Sequence, residues 1–202
     1  MKTLAAALLI LLCSCSIFQP RNPEDPDPDP GMQWQVPVHP SIVLSNLQNS
    51  IRSLSINYYM ACFHENFVFL ADPLDISDPA FQGYNFSNWT KSVEMQTASS
   101  IMYQALASGF SPDSLSGAMF ERNSSYPPDP PVPYDTATVY RDYIIVAAGT
   151  LGCGWENPAR GAAEITMVEE DGLWSILIWD DSRVKDYTGE NFTWGVAKVF
   201  YR

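Results

Sequence analysis

The sequence predicts an α+β domain in which helices pack on one face of a strongly curved antiparallel sheet. Two observations carry that expectation. Apolar residues recur at helical spacing in the first half of the chain and at a period of two in the last third. Asp171 and Gly172 join two of the alternating runs and supply the positive φ angles that a two-residue hairpin demands. Helices first and antiparallel strands afterwards is an α+β order.

Leu44, Leu47, Ile51, Leu54 and Tyr58 fall three or four residues apart, which predicts a helix starting near Pro40 or Ser41. Phe67, Val68, Phe69 and Leu70, ended by Asp72 and Pro73, suit a short strand or a tight helical turn running into one. Between Trp89 and Phe110 a second helix places Met95, Ala98, Met102, Leu106 and Gly109 on one stripe, with Asn88 or Thr90 as cap. Gly109 ends it. A weaker strand over Ser114 to Arg122 leads into the proline-rich loop Tyr126 to Tyr134. Val139, Arg141, Tyr143 and Ile145 then alternate with Tyr140, Asp142, Ile144 and Val146. Ala163, Ile165 and Met167 form the first arm of the hairpin. The return arm sets Trp174, Ile176 and Ile178 on one face, with Leu177 and Trp179 on the other. Apolar side chains also remain on the sheet face away from the helices, which predicts a cover: the C-terminal tail, a second subunit forming a homodimer, or a partner.

Residues 1–14 read as an export signal. Met1 and Lys2 form a positive start, and Leu4 to Leu12 is an apolar stretch far below the roughly 20 residues that span a bilayer. Leu12, Cys13, Ser14 and Cys15 resemble a bacterial lipobox, with small Ser14 before the acylated Cys15. Acylation at Cys13 would put bulky Leu12 at the cleavage position, and an ordinary secretory signal is the remaining alternative. The resemblance implies a membrane anchor through Cys15 and, with Ser16 next to it, delivery to an outer membrane of a bacterial cell envelope. Residues 15–37 form a tether, whose stretch Gln19 to Gly31 is rich in Pro and Asp and holds no large apolar side chain. The folded domain is expected over 38–202.

The whole chain has 202 residues, a length for one core, and 46% hydrophobic composition excludes disorder for most of it. Eleven Lys+Arg against 23 Asp+Glu give a net charge of −12, with no basic cluster to neutralise phosphates, so no nucleic-acid partner is expected. Once Cys15 is acylated, Cys62 and Cys153 remain in an oxidising compartment. A bridge closing a loop of about 90 residues would contribute about 4 to 5 kcal/mol in the loop-entropy account; two separate thiols are the alternative. Four Asn-x-Ser/Thr sequons, at Asn85, Asn88, Asn123 and Asn191, read as polar loops beside a lipobox-like leader.

Several motifs together resemble the NTF2-like superfamily, in particular its bacterial lipoproteins. They are Asn46-Leu47, the Phe67 and Phe69 pair, Trp89 with Glu94, and Gly172-x-Trp174-x-Ile176-x-x-Trp179-x-Asp181, followed by Trp194, Gly195 and Lys198. The resemblance runs from about residue 40 to 202. It implies a cone in which a bent sheet wraps around helices and leaves a pocket, used by catalytic members and filled in many others. Fold does not carry function here.

Candidate chemistry is sparse. His39 and His64 have no partner at metal-ligand spacing, so neither a metal nor a cofactor is expected. His64 beside Glu65 has the makings of an oriented base, but neighbours on a strand face opposite ways, which favours a surface place. Asp180 and Asp181 end the last strand, one facing inward and one outward. A carboxylate against Trp179 would have a raised pKa and could act as acid or base, as in the ketosteroid isomerase relatives. Capping a turn, or pairing with Arg183 or Lys185, is the other reading. Glu94 suits a helix N-terminus. The candidate pocket is Tyr59, Phe67, Trp89, Glu94, Trp179 and Asp181, and no catalytic residue carries over from the superfamily. The favoured role is a non-catalytic module binding an unknown protein or a small apolar ligand. The alternative is a small-molecule isomerase, dehydratase or hydrolase using Asp181, Asp180 or Glu94 for proton transfer.

Overall fold

His39 and Pro40 start the first helix: Pro sits where its missing N–H is not needed, and His39 Nδ1 accepts from the Ser41 N–H at 3.2 Å. The computed structural model describes residues 33–107, 118–131, 134–146, 159–184 and 192–202. Helix α1 (Pro40–Arg52) buries Leu44, Leu47 and Ile51 of the stripe read from the sequence, and Val43 beside them. It does not continue to Tyr58. Leu54 takes φ +52° and Ser55 N–H reaches back to Ser50 O, a left-handed helix end, after which α2 (Ile56–Ala61) starts on a new axis. That break buries Tyr59, while Tyr58 stacks on Trp34 with ring centroids 5.1 Å apart.

Strand β1 (Phe63–Leu70) carries Phe63, Phe67 and Phe69 into the core. A short helix α3 (Pro73–Ser77) follows, capped by Asp72, whose Oδ1 accepts from Leu74 N–H at 2.7 Å. The two-residue β2 (Trp89–Thr90) leads straight into α4 (Lys91–Ala107). The buried face of α4 is Glu94, Thr97, Ala98, Ile101, Met102 and Ala105, so the expected stripe is rotated: Met95 and Leu106 are exposed. Two polar residues on the inner face hid it from a hydropathy pattern. The expected C-cap Gly109 lies outside the described residues.

The sheet is completed by β3 (Ala118–Glu121), β4 (Thr136–Ile145), β5 (Ala159–Glu170) and β6 (Leu173–Ser182). Its order is β2-β1-β6-β5-β4-β3. The architecture is α+β, with the sheet mixed rather than wholly antiparallel. β1 runs parallel to β6, pairing Phe69 with Trp179, while every other neighbouring pair is antiparallel. No hairpin joins β1 to β6, so no turn signal fixes their direction. The predicted hairpin forms at Asp171 (φ +53°) and Gly172 (φ +81°).

A bulge changes which side chains β6 sends inward. Thr166 pairs with Ile178 and Met167 with Ile176, so Leu177 is the extra residue. Beyond it the alternation inverts, and Trp179 and Asp181 join Trp174 and Ile176 in the core while Ile178 moves to the outer side. The C-terminal helix α5 (Trp194–Val199) was not legible in the sequence. All six of its residues are buried, and Thr193 caps it by accepting from Val196 N–H at 3.2 Å. It packs on the core side against Phe69 and Asp181, so these residues do not cover the outer sheet face.

At the other end, Gln35 exchanges two hydrogen bonds with the buried Asn46 amide, and Pro37 O accepts from Trp174 N–H at 2.7 Å. The described end of the tether segment is therefore tied to α1 and β6. No helix among the described residues is long and apolar enough to cross a membrane.

Candidate functional site

Among the buried carboxylates, those of Glu94 and Asp181 have no exposure and are each enclosed by donors. Glu94 comes from the first turn of α4 and has no exposure. Its Oε1 accepts from Tyr59 OH at 2.5 Å, and its Oε2 accepts from Trp89 Nε1 at 2.7 Å and from Lys198 Nζ at 2.8 Å. Lys198, also without exposure, lies over the Phe69 ring at 3.3 Å from its centroid and within 5.0 Å of the centroid of Trp89. Burial pulls the Lys198 ammonium below its ordinary pKa, and the Glu94 carboxylate opposes that. Burial and the same carboxylate push the Tyr59 phenol well above the ordinary tyrosine range.

Asp181 reaches inward from β6 beyond the bulge. Its Oδ1 accepts from Tyr143 OH at 2.5 Å and its Oδ2 from Gly195 N–H at 2.8 Å; Tyr143 OH in turn accepts from Trp194 N–H at 2.7 Å. A Cβ on Gly195 would lie 3.1 Å from Phe69 Cε1 and 3.2 Å from Asp181 Oδ2, which explains a glycine in this helix. Burial pushes the Asp181 carboxyl up to about 7, against the bonds from Tyr143 and Gly195 that favour its charged form. Asp75, buried on α3, is linked to Arg183 at 2.6 Å and to Thr193 Oγ1 at 2.6 Å, so the C-terminal segment is fastened from a third side.

All six predicted pocket residues are buried, and Tyr59, Trp89 and Glu94 are in direct contact. Trp179 lies tilted against Phe69 with centroids 6.2 Å apart, Phe67 packs on Phe63 at 4.5 Å, and Asp181 belongs to the separate Tyr143 network. None of the six borders a small void beside α1 and α4. That void measures about 10 Å³, room for about one water, and is lined by Ile51, Leu54, Ala98, Ile101, Met102, Val146 and Trp194. Side chains fill the space there. Lys198 as counter-ion and Tyr143 as the partner of Asp181 were missed in the sequence. A lysine inside the apolar run Val196 to Phe200 was the available signal for the first.

Other candidates have structural partners. His39 caps α1. His64 Nδ1 accepts from Asn66 N–H, and its Nε2 lies 3.1 Å from Glu170 rather than serving Glu65, which pairs with Lys91 at 2.7 Å. Arg183 takes Asp75 and Asp78, not the Asp pair ending β6. Cys62 is buried, its thiol donating to Tyr58 O at 3.4 Å, and burial pushes its pKa up. Cys15 and Cys153 lie outside the described residues, and with them the acylation and disulfide readings. Among the described residues no group of three or more His, Cys, Asp or Glu is placed to hold a metal ion.

The outer sheet face carries a groove of about 440 Å³. Its floor is a cross-strand row in which Tyr140 pairs with Glu164 and Glu164 with Asp180. Tyr126 closes one side, its ring 5.8 Å from that of Tyr140 and its OH donating to Asp142 at 2.6 Å. Glu164 and Asp180 are like charges directly opposite, an unfavourable pair. Partial burial and then the Glu164 charge raise the Asp180 carboxyl pKa. Arg183, at the rim, is already paired with Asp75 and Asp78.

No family model matches this sequence, and no curated protein matches it. Solved structures are similar at low identity. A function-unknown protein from Mycobacterium tuberculosis is 11% identical with a TM-score of 0.43, over 79% of this chain and 83% of that one. An NTF-2-like protein of unknown function from Shewanella oneidensis MR-1 is 11% identical at 0.42, over 69% and 93%. A candidate scytalone dehydratase from Novosphingobium aromaticivorans is 13% identical at 0.47, over 76% and 88%. Likeness at these values reaches no further than the fold.

Asp181 makes stability depend on pH. The group holds its proton up to about pH 7 when folded and releases it near 3.8 when unfolded. The folded chain binds more protons between those values, so the stability that this group contributes is complete below the lower one and is lost as pH rises through 7. Urea unfolding across that window is expected to show a fall in stability that is smaller in Asp181→Asn than in the wild type by a few kcal/mol, the share that Asp181 contributes. Equal slopes in both proteins would contradict the assignment.

Proposed function

We propose that this chain is a lipid-anchored, extracytoplasmic binding module that takes a cationic ligand in its outer-face groove and turns over no substrate in its interior. The carrying observation is the contrast between the two places. Around Glu94 and Asp181 every carboxylate oxygen is bonded to a protein donor, and the void left nearby has room for about one water. The groove has room for a ligand, two tyrosine rings and an unbalanced carboxylate row. An ammonium group placed there would relieve the repulsion between Glu164 and Asp180 and meet the ring face of Tyr140. The same charges oppose a second copy of this chain on that face, which weighs against the homodimer reading.

Acid–base chemistry keeps one observation in its favour, the Asp181 carboxyl poised at about 7. A substrate would have to displace Tyr143 or the Gly195 N–H to use it.

Two experiments test this reading. Calorimetric titration with spermidine is expected to show binding that weakens with salt, and that drops about tenfold, about 1.4 kcal/mol, in the Glu164→Gln, Asp180→Asn double variant. No heat, or the same affinity in that variant, would contradict it. For the anchor, labelling with a palmitate analogue should mark the wild type and Cys13→Ala but not Cys15→Ala; a label persisting in Cys15→Ala would refute acylation there.

A further inference from the structure

We propose that Lys198 and Glu94 are a site of self-modification, condensing to an isopeptide bond that ties α5 to α4 inside the core. The two groups already stand in contact: Nζ is 2.8 Å from Oε2, and neither side chain has any exposure. Phe69 lies under the amine at 3.3 Å, with Trp89, Trp179 and Trp194 centroids 5.0, 5.6 and 5.9 Å away. Rings on several sides keep out the water that would otherwise solvate the ions or hydrolyse the product.

The step balances without an outside reagent. The ammonium passes one proton to the carboxylate, which leaves a neutral amine beside a neutral acid. The Nζ lone pair adds to Cδ, and the charge that develops on Oε1 faces the Tyr59 hydroxyl, a donor at 2.5 Å already in place. Oε2, held by Trp89 Nε1, departs as water with a second proton from Nζ, and a secondary amide remains. No atom is oxidised or reduced.

Three features of the site favour the forward direction. A buried ion pair keeps its desolvation cost for as long as it exists, whereas an amide is neutral. Folding has already brought the partners together, so no encounter entropy opposes the step. Burial also lowers the proton affinity of Lys198, which makes the nucleophilic free amine more accessible.

Trypsin digestion of the denatured full chain followed by mass spectrometry decides the matter. Cleavage falls after Lys91, Arg122, Lys185 and Arg202. The expected product joins peptide 92–122 to peptide 186–202 at one water less than their summed mass, with the bond after Lys198 uncut. Recovery of separate peptides 92–122 and 186–198, with Glu94 and Lys198 unmodified, would overturn the proposal and leave an ordinary ion pair. Lys198→Arg keeps the cation but removes the amine, and the linked species must vanish in it; a linked species that survives would equally overturn the assignment.

Discussion

A lysine ammonium enclosed by aromatic rings must meet a carboxylate, because an unpaired buried charge costs far more than a domain of this size can spare. That requirement, met by Lys198 and Glu94, organises the rest of the core. It fixes the first turn of α4 against the C-terminal helix, and it brings Tyr59 and Trp89 in as the two further donors to the same carboxylate. It also sets where Phe69 must lie, since the ring face under the ammonium replaces part of its lost hydration.

The second carboxylate extends the same logic along α5. Asp181 takes the Gly195 N–H at the start of that helix, Tyr143 takes the Trp194 N–H, and Thr193 is held by Asp75. A six-residue helix would not persist alone. Here it is fastened at both ends by charged or hydroxyl groups from α3, α4, β4 and β6. A polar interior used in this way leaves no carboxylate oxygen of Glu94 or Asp181 free for a substrate, and the side of the sheet that faces away from the helices holds a groove of about 440 Å³.

Legibility in the sequence followed the kind of constraint. The α1 stripe of Leu44, Leu47 and Ile51 and the Asp171-Gly172 turn were readable because a period or a φ angle dictates the residue type. The inner face of α4 was misread because Glu94 and Thr97 are polar: Glu94 turns inward to long-range partners, and Thr97 bonds back to Val93 O and Glu94 O of its own helix. The end of α1 at Leu54 carries no glycine to announce it. Trp179 stood on the wrong face until the bulge at Leu177 inverted the alternation, which no local pattern shows. Glu94, Trp89, Tyr59 and Asp181 were named as candidates, but their joint arrangement depends on α5, whose pairing partner Lys198 lies 104 residues from Glu94 in the chain.

Native-state hydrogen exchange at neutral pH tests the central claim most directly. If the Lys198–Glu94 contact and its neighbours anchor the C-terminal helix, the amides of Ala197 to Val199 exchange only through global unfolding, as slowly as those of β5 and β6. Exchange of those amides orders of magnitude faster than the sheet, as in a fraying terminus, would show that the buried pair does not hold the fold together.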